Sequence, residues 1–558
     1  MLTESMNIFL PGDVSALQNL VLSLGEKMDE VVKNYERSEA ENKLLRERIH
    51  QLQHQLYGRK SEKLALADDF EQGSLFDEIG EPESGESIEP ESVEAITIPA
   101  HKRKKRGRQS LPADLPRIEV VHDISKDEKH CGCGSEMSRI GEEVSEQLEM
   151  IPARFWVVRH VRPKYACKNC EGVESREGER CVKIAPVPPQ LLAKTISTPS
   201  LLSHILVSKF CDSLPFYRQE QQFQRLGFAL SRARMCNWAI KVAEKCKRLV
   251  ELLRHEILSG PLINMDETTF QVLCEPDRRV DSKSYMWVIR GGGPDKPVVV
   301  YCYDESRSGR VASGILGDYH GYVQTDGYSG YDFLDIREGI THVGCWTHVR
   351  RKFFDVLKVS GVKTGRKIKN FKGLGKAGEA LQIIHDLYEI EREAREKQLS
   401  PELIYQERQR RSKPIIDKFG LWLKELAPTV NVKGLLGKAV NYTLGQWPRL
   451  LKYLDDGIIR MDNNLAENAI RPFVVGRKNW LFFDQPEGAE AGAILYSLIE
   501  TARANDIEPY KYFLYLFDKL PLLLNEDDDE KLKTLLPQNL TPGVLDEHQK
   551  EYRERGVL

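Results

Sequence analysis

From Pro261 onward the sequence is cut into short apolar runs rich in β-branched and aromatic residues, and this limits the possible folds more than any other feature. Runs at 262–265, 284–289 and 298–303 have the length and composition of strands, with Gly291, Gly292 and Gly293 supplying a turn between the second and third. A helix-like segment at 311–316 precedes a fourth run at 322–325. A fifth, at 341–346, leads into the basic helical stretch that carries His348, Arg350 and Arg351. Three strands, a helix and a fourth strand ending in Asp predict an α/β unit built on a mixed sheet, in the layout of a ribonuclease-H-like core.

Two of these runs end at a carboxylate. Asp266 closes Pro261-Leu-Ile-Asn-Met, and Asp326 follows Gly321-Tyr-Val-Gln-Thr. A third, Glu467, stands among amides and cations in the stretch from Asp462 to Pro472, which runs on to Trp480. Two-metal phosphoryl transfer needs carboxylates on rigid elements that hold two divalent ions about 3.5–4 Å apart. Asp266, Asp326 and Glu467 are the expected set. Oxygen ligands without His or Cys point to Mg²⁺ or Mn²⁺. Each residue also has a structural reading. Glu267 competes with Asp266, and Asp326 suits an Asx-turn before Gly327. Asn464 and Glu467 fit a capping box, and Asp462 competes for the third position.

Cations follow the carboxylates. Arg471 lies four residues beyond Glu467, and Pro472 predicts that the helix ends there. Arg477 and Lys478 come next. These residues, with His348, Arg350 and Arg351, are expected to contact DNA phosphates; ion pairing within the protein is the competing reading.

Upstream, Leu17, Val21, Leu24, Met28, Val31, Tyr35, Ser38, Asn42, Leu45, Ile49, Leu52 and Leu56 follow alternating steps of four and three. That is a heptad seam, expected to self-associate as a coiled coil and to end near Gly58. The stretch 68–94 is acidic, without Lys or Arg, and reads as a disordered linker. The sign then flips at Lys102, Arg103, Lys104, Lys105, Arg106 and Arg108, a basic arm suited to phosphates or to a narrow minor groove. Cys131, Cys133, Cys167 and Cys170 flank strand-like sequence and describe a structural zinc module. The first pair is spaced tightly, so His130 or Cys181 is a possible substitute ligand. Between about 201 and 253 a helix, a turn at Gly227 and a second helix opened by Ser231 form a helix-turn-helix pattern. It would set Arg232 and Arg234 where base edges are read. An ordinary helical hairpin has the same look.

A chain of 558 residues is too long for one core. Its net charge of −3 conceals the local asymmetry, and its 11 cysteines suit a reducing compartment. No apolar run is long enough to span a membrane, and no leader segment is evident, so a cytoplasmic, nucleoid-associated location is expected.

Long motifs carry a likeness across nearly the whole sequence. They include Leu56-Tyr-Gly-Arg-Lys-Ser-Glu-Lys-Leu64, Gly107-Arg-Gln-Ser-Leu-Pro-Ala-Asp-Leu-Pro116, Ile140-Gly-Glu-Glu-Val-Ser-Glu-Gln-Leu148 and Arg162-Pro-Lys-Tyr-Ala-Cys167. Lys209-Phe-Cys-Asp-Ser-Leu-Pro-Phe-Tyr-Arg218, Cys345-Trp-Thr-His-Val-Arg-Arg-Lys-Phe353 and the stretch 462–482 complete the set. The chain resembles the transposases of the insertion sequence 66 family, bacterial DDE-type enzymes. The resemblance implies a retroviral-integrase-like core whose acidic residues fall on Asp266, Asp326 and Glu467. It also implies a zinc finger on the cysteine cluster and a helical C-terminal domain. One departure is the single residue between Cys131 and Cys133, where the family usually has two. The expected organisation is a coiled coil (1–65), linker and arm (66–118), zinc module (119–190), helical DNA-binding domain (191–256), catalytic core (257–500, with a helical insertion at about 361–430) and helical C-terminal domain (501–558). The expected activity is 3′-end cleavage and strand transfer on double-stranded DNA, at terminal repeats and target. The protein would work as a homo-oligomer, with accessory proteins of the same element as further partners. A nuclease without strand transfer and a DNA-binding regulator derived from such an enzyme are the alternatives.

Overall fold

The computed structural model describes residues 155–166, 182–359, 371, 373–524 and 528–557, with Leu22, Gly25, Met28, Asp29, Val32, Lys33, Tyr35, Leu45 and Ile49 near the N-terminus. The acidic linker, the basic arm, Cys131, Cys133, Cys167, Cys170, His130 and Cys181 lie outside the described residues. The chain divides into one compact unit of residues 1–69 and 160–558 and another of 70–159, whose described residues 155–159 carry no regular structure. Every helix and strand described belongs to the first unit. Among its N-terminal positions, Met28, Tyr35, Leu45 and Ile49 of the seam are helical and exposed. No described helix is long and apolar enough to cross a membrane.

A short ribbon pairs Lys164–Ala166 with Val182–Ile184. The main sheet has strands β1 (Leu262–Phe270), β2 (Ser284–Gly293), β3 (Lys296–Asp304), β4 (Gly321–Gln324) and β5 (Ile340–Val343) in the order β3-β2-β1-β4-β5. The pairs β3/β2 and β2/β1 are antiparallel, whereas β1/β4 and β4/β5 are parallel. The three glycines expected in the turn lie instead at the end of β2. Gly293 pairs with Lys296, so Pro294 and Asp295 form the tip. Gly292 has φ of 84°, and a Cβ there would lie 2.4 Å from the Lys296 carbonyl oxygen, so the position requires glycine.

Strand β1 also runs past its apolar stretch. Pairing with β2 continues from Asp266 opposite Val288 to Phe270 opposite Ser284. Pairing with β4 stops at Asn264, because β4 is only four residues long. Asp266 is therefore mid-strand towards β2 and beyond the ladder towards β4. That unpaired side leaves room beside Asp326.

The helices are α1 (Pro199–Phe210), α2 (Phe216–Arg225), α3 (Arg232–Leu258), α4 (Gly309–Leu316), α5 (Trp346–Val359), α6 (Gly375–Glu396), α7 (Pro401–Glu407), α8 (Lys413–Leu426), α9 (Leu435–Leu451), α10 (Asn464–Trp480), α11 (Pro486–Ala504) and α12 (Pro509–Leu523), with Asp529–Lys533 and Pro542–Tyr552 following. Ser231 caps α3 through the Arg234 N–H, as its position suggested. The buried face of α3, including Met235, Trp238, Val242 and Leu253, packs in the same core as the sheet, α10 and α11. β3 is an edge strand, and α11 covers that edge: Ser497 Oγ accepts the Tyr301 N–H at 2.8 Å and Thr501 Oγ1 accepts that of Val299 at 3.0 Å.

A second core joins Val343, Trp346, Val349 and Phe353 to Ala377, Ala380, Leu381, Ile384 and Leu387, the apolar stripe of α6, and to residues of α8 and α9. α10 does not end before Pro472. It passes through it to Trp480, because Ala466, Ala469, Ile470, Phe473, Gly476 and Trp480 form a continuous buried stripe at helical spacing. That packing offsets the hydrogen bond that Pro472 cannot donate.

Candidate active site

Three buried amides set the positions of the three carboxylates. Asn264 Nδ2 donates to Gln324 Oε1 at 2.9 Å and to Asn463 Oδ1 at 3.0 Å. Asn463 Nδ2 donates to the Met265 carbonyl at 2.8 Å, and Gln324 Nε2 to that of Arg460 at 2.9 Å. These bonds tie β1, β4 and the start of α10 together. Asp266 is two residues beyond Asn264 along one strand, so it points to the same face. Asp326 is two beyond Gln324. Glu467 is four beyond Asn463, one turn up the same side of its helix. The amide layer thus lies one step beneath the carboxylates. Nothing in the sequence reading identified it, although part of the signal was present: Asn264 and Gln324 interrupt apolar runs two residues before Asp266 and Asp326.

Burial, followed by the negative charges of Glu267, Asp326 and Glu467, pushes the Asp266 carboxyl well above the usual carboxylate range. The three expected residues are therefore close enough to act on one another. Asp326 Oδ1 accepts the Tyr328 N–H at 2.9 Å, so the Asx-turn is present and sets this carboxylate's orientation. Thr325 Oγ1 is 2.8 Å from His342 Nε2, which steadies the same loop. Glu267, the rival of Asp266, is occupied elsewhere: Arg307 Nε donates to it at 2.7 Å and so does the Tyr331 hydroxyl. Asp462 Oδ1 accepts the Asn464 N–H at 3.2 Å, a turn role. There is no capping box, since Asn463 rather than Asn464 precedes the helix and its amide serves the buried layer.

Glu467 Oε2 lies 3.5 Å from Arg351 Nη2, and Glu467 Oε1 lies 3.8 Å from His348 Nδ1. Oε1 is shielded from solvent and has no hydrogen-bond partner. A cluster of mutually repelling carboxylates with an orphaned oxygen fits a hard divalent cation. The other expected cations disperse. Arg350 lies 5.3 Å from the Phe354 ring and 5.7 Å from that of Tyr388. Arg477 Nη1 donates to Thr268 Oγ1 at 3.1 Å, while Arg471 and Lys478 are exposed on α10. Arg232 and Arg234 are exposed at the start of α3, Arg232 lying 5.8 Å from the Tyr217 ring.

Two expected outcomes follow from this geometry. Asp266 is raised in the fold, so its neutral form favours folding at low pH and that contribution is lost as pH rises through the raised value. A cation needs the ionised form. The thermal stabilisation given by Mg²⁺ should therefore grow as pH rises above the usual carboxylate range and lose this dependence in Asp266→Asn. Unfolding curves with and without Mg²⁺ check this; a pH-independent gain in the unmodified protein would contradict it. Asn463→Ala strands the Met265 carbonyl and removes one Asn264 partner, costing about 1–3 kcal/mol. It should also raise the Mg²⁺ midpoint about tenfold, as loss of a supporting shell does. An unchanged midpoint would make the amide layer structural only.

Comparison with known families agrees along the chain. The description "Transposase IS66 family" matches residues 194–491 and "zinc-finger binding domain of transposase IS66" matches 128–171. "Transposase C of IS166 homeodomain" matches 44–120 and "IS66 C-terminal element" 497–538. An uncharacterized protein of Sinorhizobium fredii (strain NBRC 101917 / NGR234), y4jD, is 32% identical over 550 residues, 95% of this chain and 97% of its own length. A second from the same strain, y4qI, is 30% identical over 565 residues, 96% and 98% of the two chains. The matched modules define a transposase. The chain belongs to the IS66 family. Membership implies use of a divalent metal and, through the finger, of zinc.

Proposed function

We infer that the protein cuts the 3′ ends of its insertion sequence and joins them to target DNA, with Asp266, Asp326 and Glu467 as the catalytic residues. The observation that carries this is the convergence of the three carboxylates on one face above the amide layer. The strand order, three antiparallel strands continued by two parallel ones, supports a ribonuclease-H-like core. Bound to these carboxylates, Mg²⁺ or Mn²⁺ ions supply charge stabilisation for the attacking and leaving oxygens. Water attacks the phosphorus and the bond to the 3′ oxygen breaks, freeing a 3′-OH. That hydroxyl then attacks a target phosphodiester at the same site: the new P–O bond joins the element to the target as the target's own P–O3′ bond breaks and leaves a 3′-OH. The protein holds no strand covalently.

The chain's own residues orient and hold the DNA. Arg471, Arg477 and Lys478 on α10 and His348, Arg350 and Arg351 on α5 are the candidates for phosphate contact, and of these His348 and Arg351 stand beside Glu467. Arg232 and Arg234 open α3, where DNA reading is expected, and the arm Lys102–Lys105, Arg106 and Arg108 adds sequence-independent affinity. Cys131, Cys133, Cys167 and Cys170 would hold a structural Zn²⁺. Both element ends must be held together, and the exposed apolar seam at Met28, Tyr35, Leu45 and Ile49 supports oligomerisation through the coiled coil.

Mapping of cleavage on DNA from the flanks of its own gene tests this reading. Cuts confined to the element ends, each leaving a 3′-OH, are expected. Cuts scattered along the DNA would identify a nuclease without end recognition.

A further inference from the structure

Cys345 follows β5, and His348 comes three residues later in the first turn of α5. Glu467 reaches the same place from α10. One donor atom from each of the three residues lies within 4.8 Å of the others. His348 Nδ1 and Glu467 Oε1 face each other at 3.8 Å, beyond hydrogen-bond range, and both are shut off from solvent without a partner. Arg351 approaches the other oxygen of Glu467 and leaves Oε1 free. Buried polar atoms without partners are costly, and two that face one another across such a gap leave room for a bridging group. Ions bound by imidazole at about 2.0–2.1 Å and by sulfur at about 2.3 Å fit between such donors with small side-chain rotations. Sulfur, nitrogen and oxygen together form the donor set of Zn²⁺; Mg²⁺ prefers oxygen alone.

We propose that Cys345, His348 and Glu467 form a second metal site, selective for Zn²⁺-class ions, which shares Glu467 with the carboxylate site. The Cys345 thiol gives up its proton to solvent as the ion binds. Occupancy withdraws Glu467 from the hard-cation site, so Zn²⁺ inhibits the Mg²⁺-dependent reaction, and excess Mg²⁺ relieves the inhibition. The binding stands on these three residues alone; the inhibition rests on the assignment of Glu467 to the active site.

The test uses the full chain with Co²⁺ as a spectroscopic stand-in for Zn²⁺, followed by Zn²⁺ titration of nicking in Mg²⁺. Cys345→Ser keeps an acceptor for the Asn463 N–H, which Cys345 Sγ receives at 3.2 Å, and His348→Gln removes the imidazole without touching that bond. The zinc finger binds Co²⁺ equally in all three proteins. Each variant should bind about one equivalent less than the unmodified chain and lose the corresponding thiolate or imidazole signature. Cys345→Ser should need about 10–100-fold more Zn²⁺ for half-inhibition. Equal stoichiometry in all three proteins would overturn the site. An extra equivalent with unchanged inhibition would overturn the sharing of Glu467. Absence of nicking in Mg²⁺ alone would count against the proposed function, and stoichiometry would still decide the site.

Discussion

Asp326→Asn is expected to lower the rate of 3′-end nicking by about 10³-fold or more, because it removes several kcal/mol of charge stabilisation from the transition state. The asparagine oxygen can still accept the Tyr328 N–H that Asp326 receives at 2.9 Å, so the loop keeps its shape. Stability should move in the opposite direction. The Asp326 charge is one of those that push the Asp266 carboxyl up, and its loss relieves that repulsion. Metal-free Asp326→Asn should therefore melt at or above the temperature of the unmodified protein while binding end DNA normally. Single-turnover nicking, thermal unfolding and footprinting check the three parts. A residue that served only to build the loop would show lower stability and a proportionate loss of activity.

The second large effect is expected at Arg408, which is 2% exposed. Its Nε and Nη2 donate to the Glu391 carboxylate at 2.8 and 2.7 Å. Nη1 donates to the carbonyls of Tyr453 and Asp456 at 2.6 and 2.7 Å, and Nη2 to that of Ile459 at 2.8 Å. One guanidinium thus fixes the segment that leads into Asn463 and Glu467. Arg408→Ala leaves a largely buried carboxylate and three carbonyls without their donor, at a cost of about 3–5 kcal/mol. Hydrogen exchange across 453–463 should quicken by the corresponding factor, and the Mg²⁺ midpoint should rise with it. Arg408→Lys keeps the charge but not the fork, so it should recover only part of the loss. A cost below about 1 kcal/mol would mean that the segment is held by other contacts.

Much of this arrangement was legible in the sequence, because short β-branched runs and helical stripes report burial directly. The strands, α4 and the stripe from Ala377 to Leu387 follow from that pattern, whereas Asp266, read as closing its strand, lies inside one that runs on to Phe270. The remainder depends on partners distant in the chain. β1 extends through Asp266-Glu267-Thr268-Thr269, a polar stretch that local pattern assigns to a loop, because β2 supplies its hydrogen bonds. Pro472 reads as a stop, yet the stripe from Ala466 to Trp480 carries the helix through it. Glu267 is separated from Asp266 only by the reach of Arg307 and Tyr331. Asn264 and Gln324 read as interruptions of apolar runs, and Asn463 as one more polar residue beside Asp462, until all three are brought together. Buried polar groups are specified by one another, and a one-dimensional pattern does not carry that information.

The most direct measurement is joining by the purified protein of a pre-cut, labelled element end to plasmid DNA, with and without Mg²⁺, followed by denaturation to look for protein attached to DNA. The expected result is a DNA–DNA joint formed only with the metal, absent in Asp326→Asn, and no covalent protein–DNA species. Joining without a divalent ion, or a stable adduct between protein and DNA, would contradict transfer at Asp266, Asp326 and Glu467.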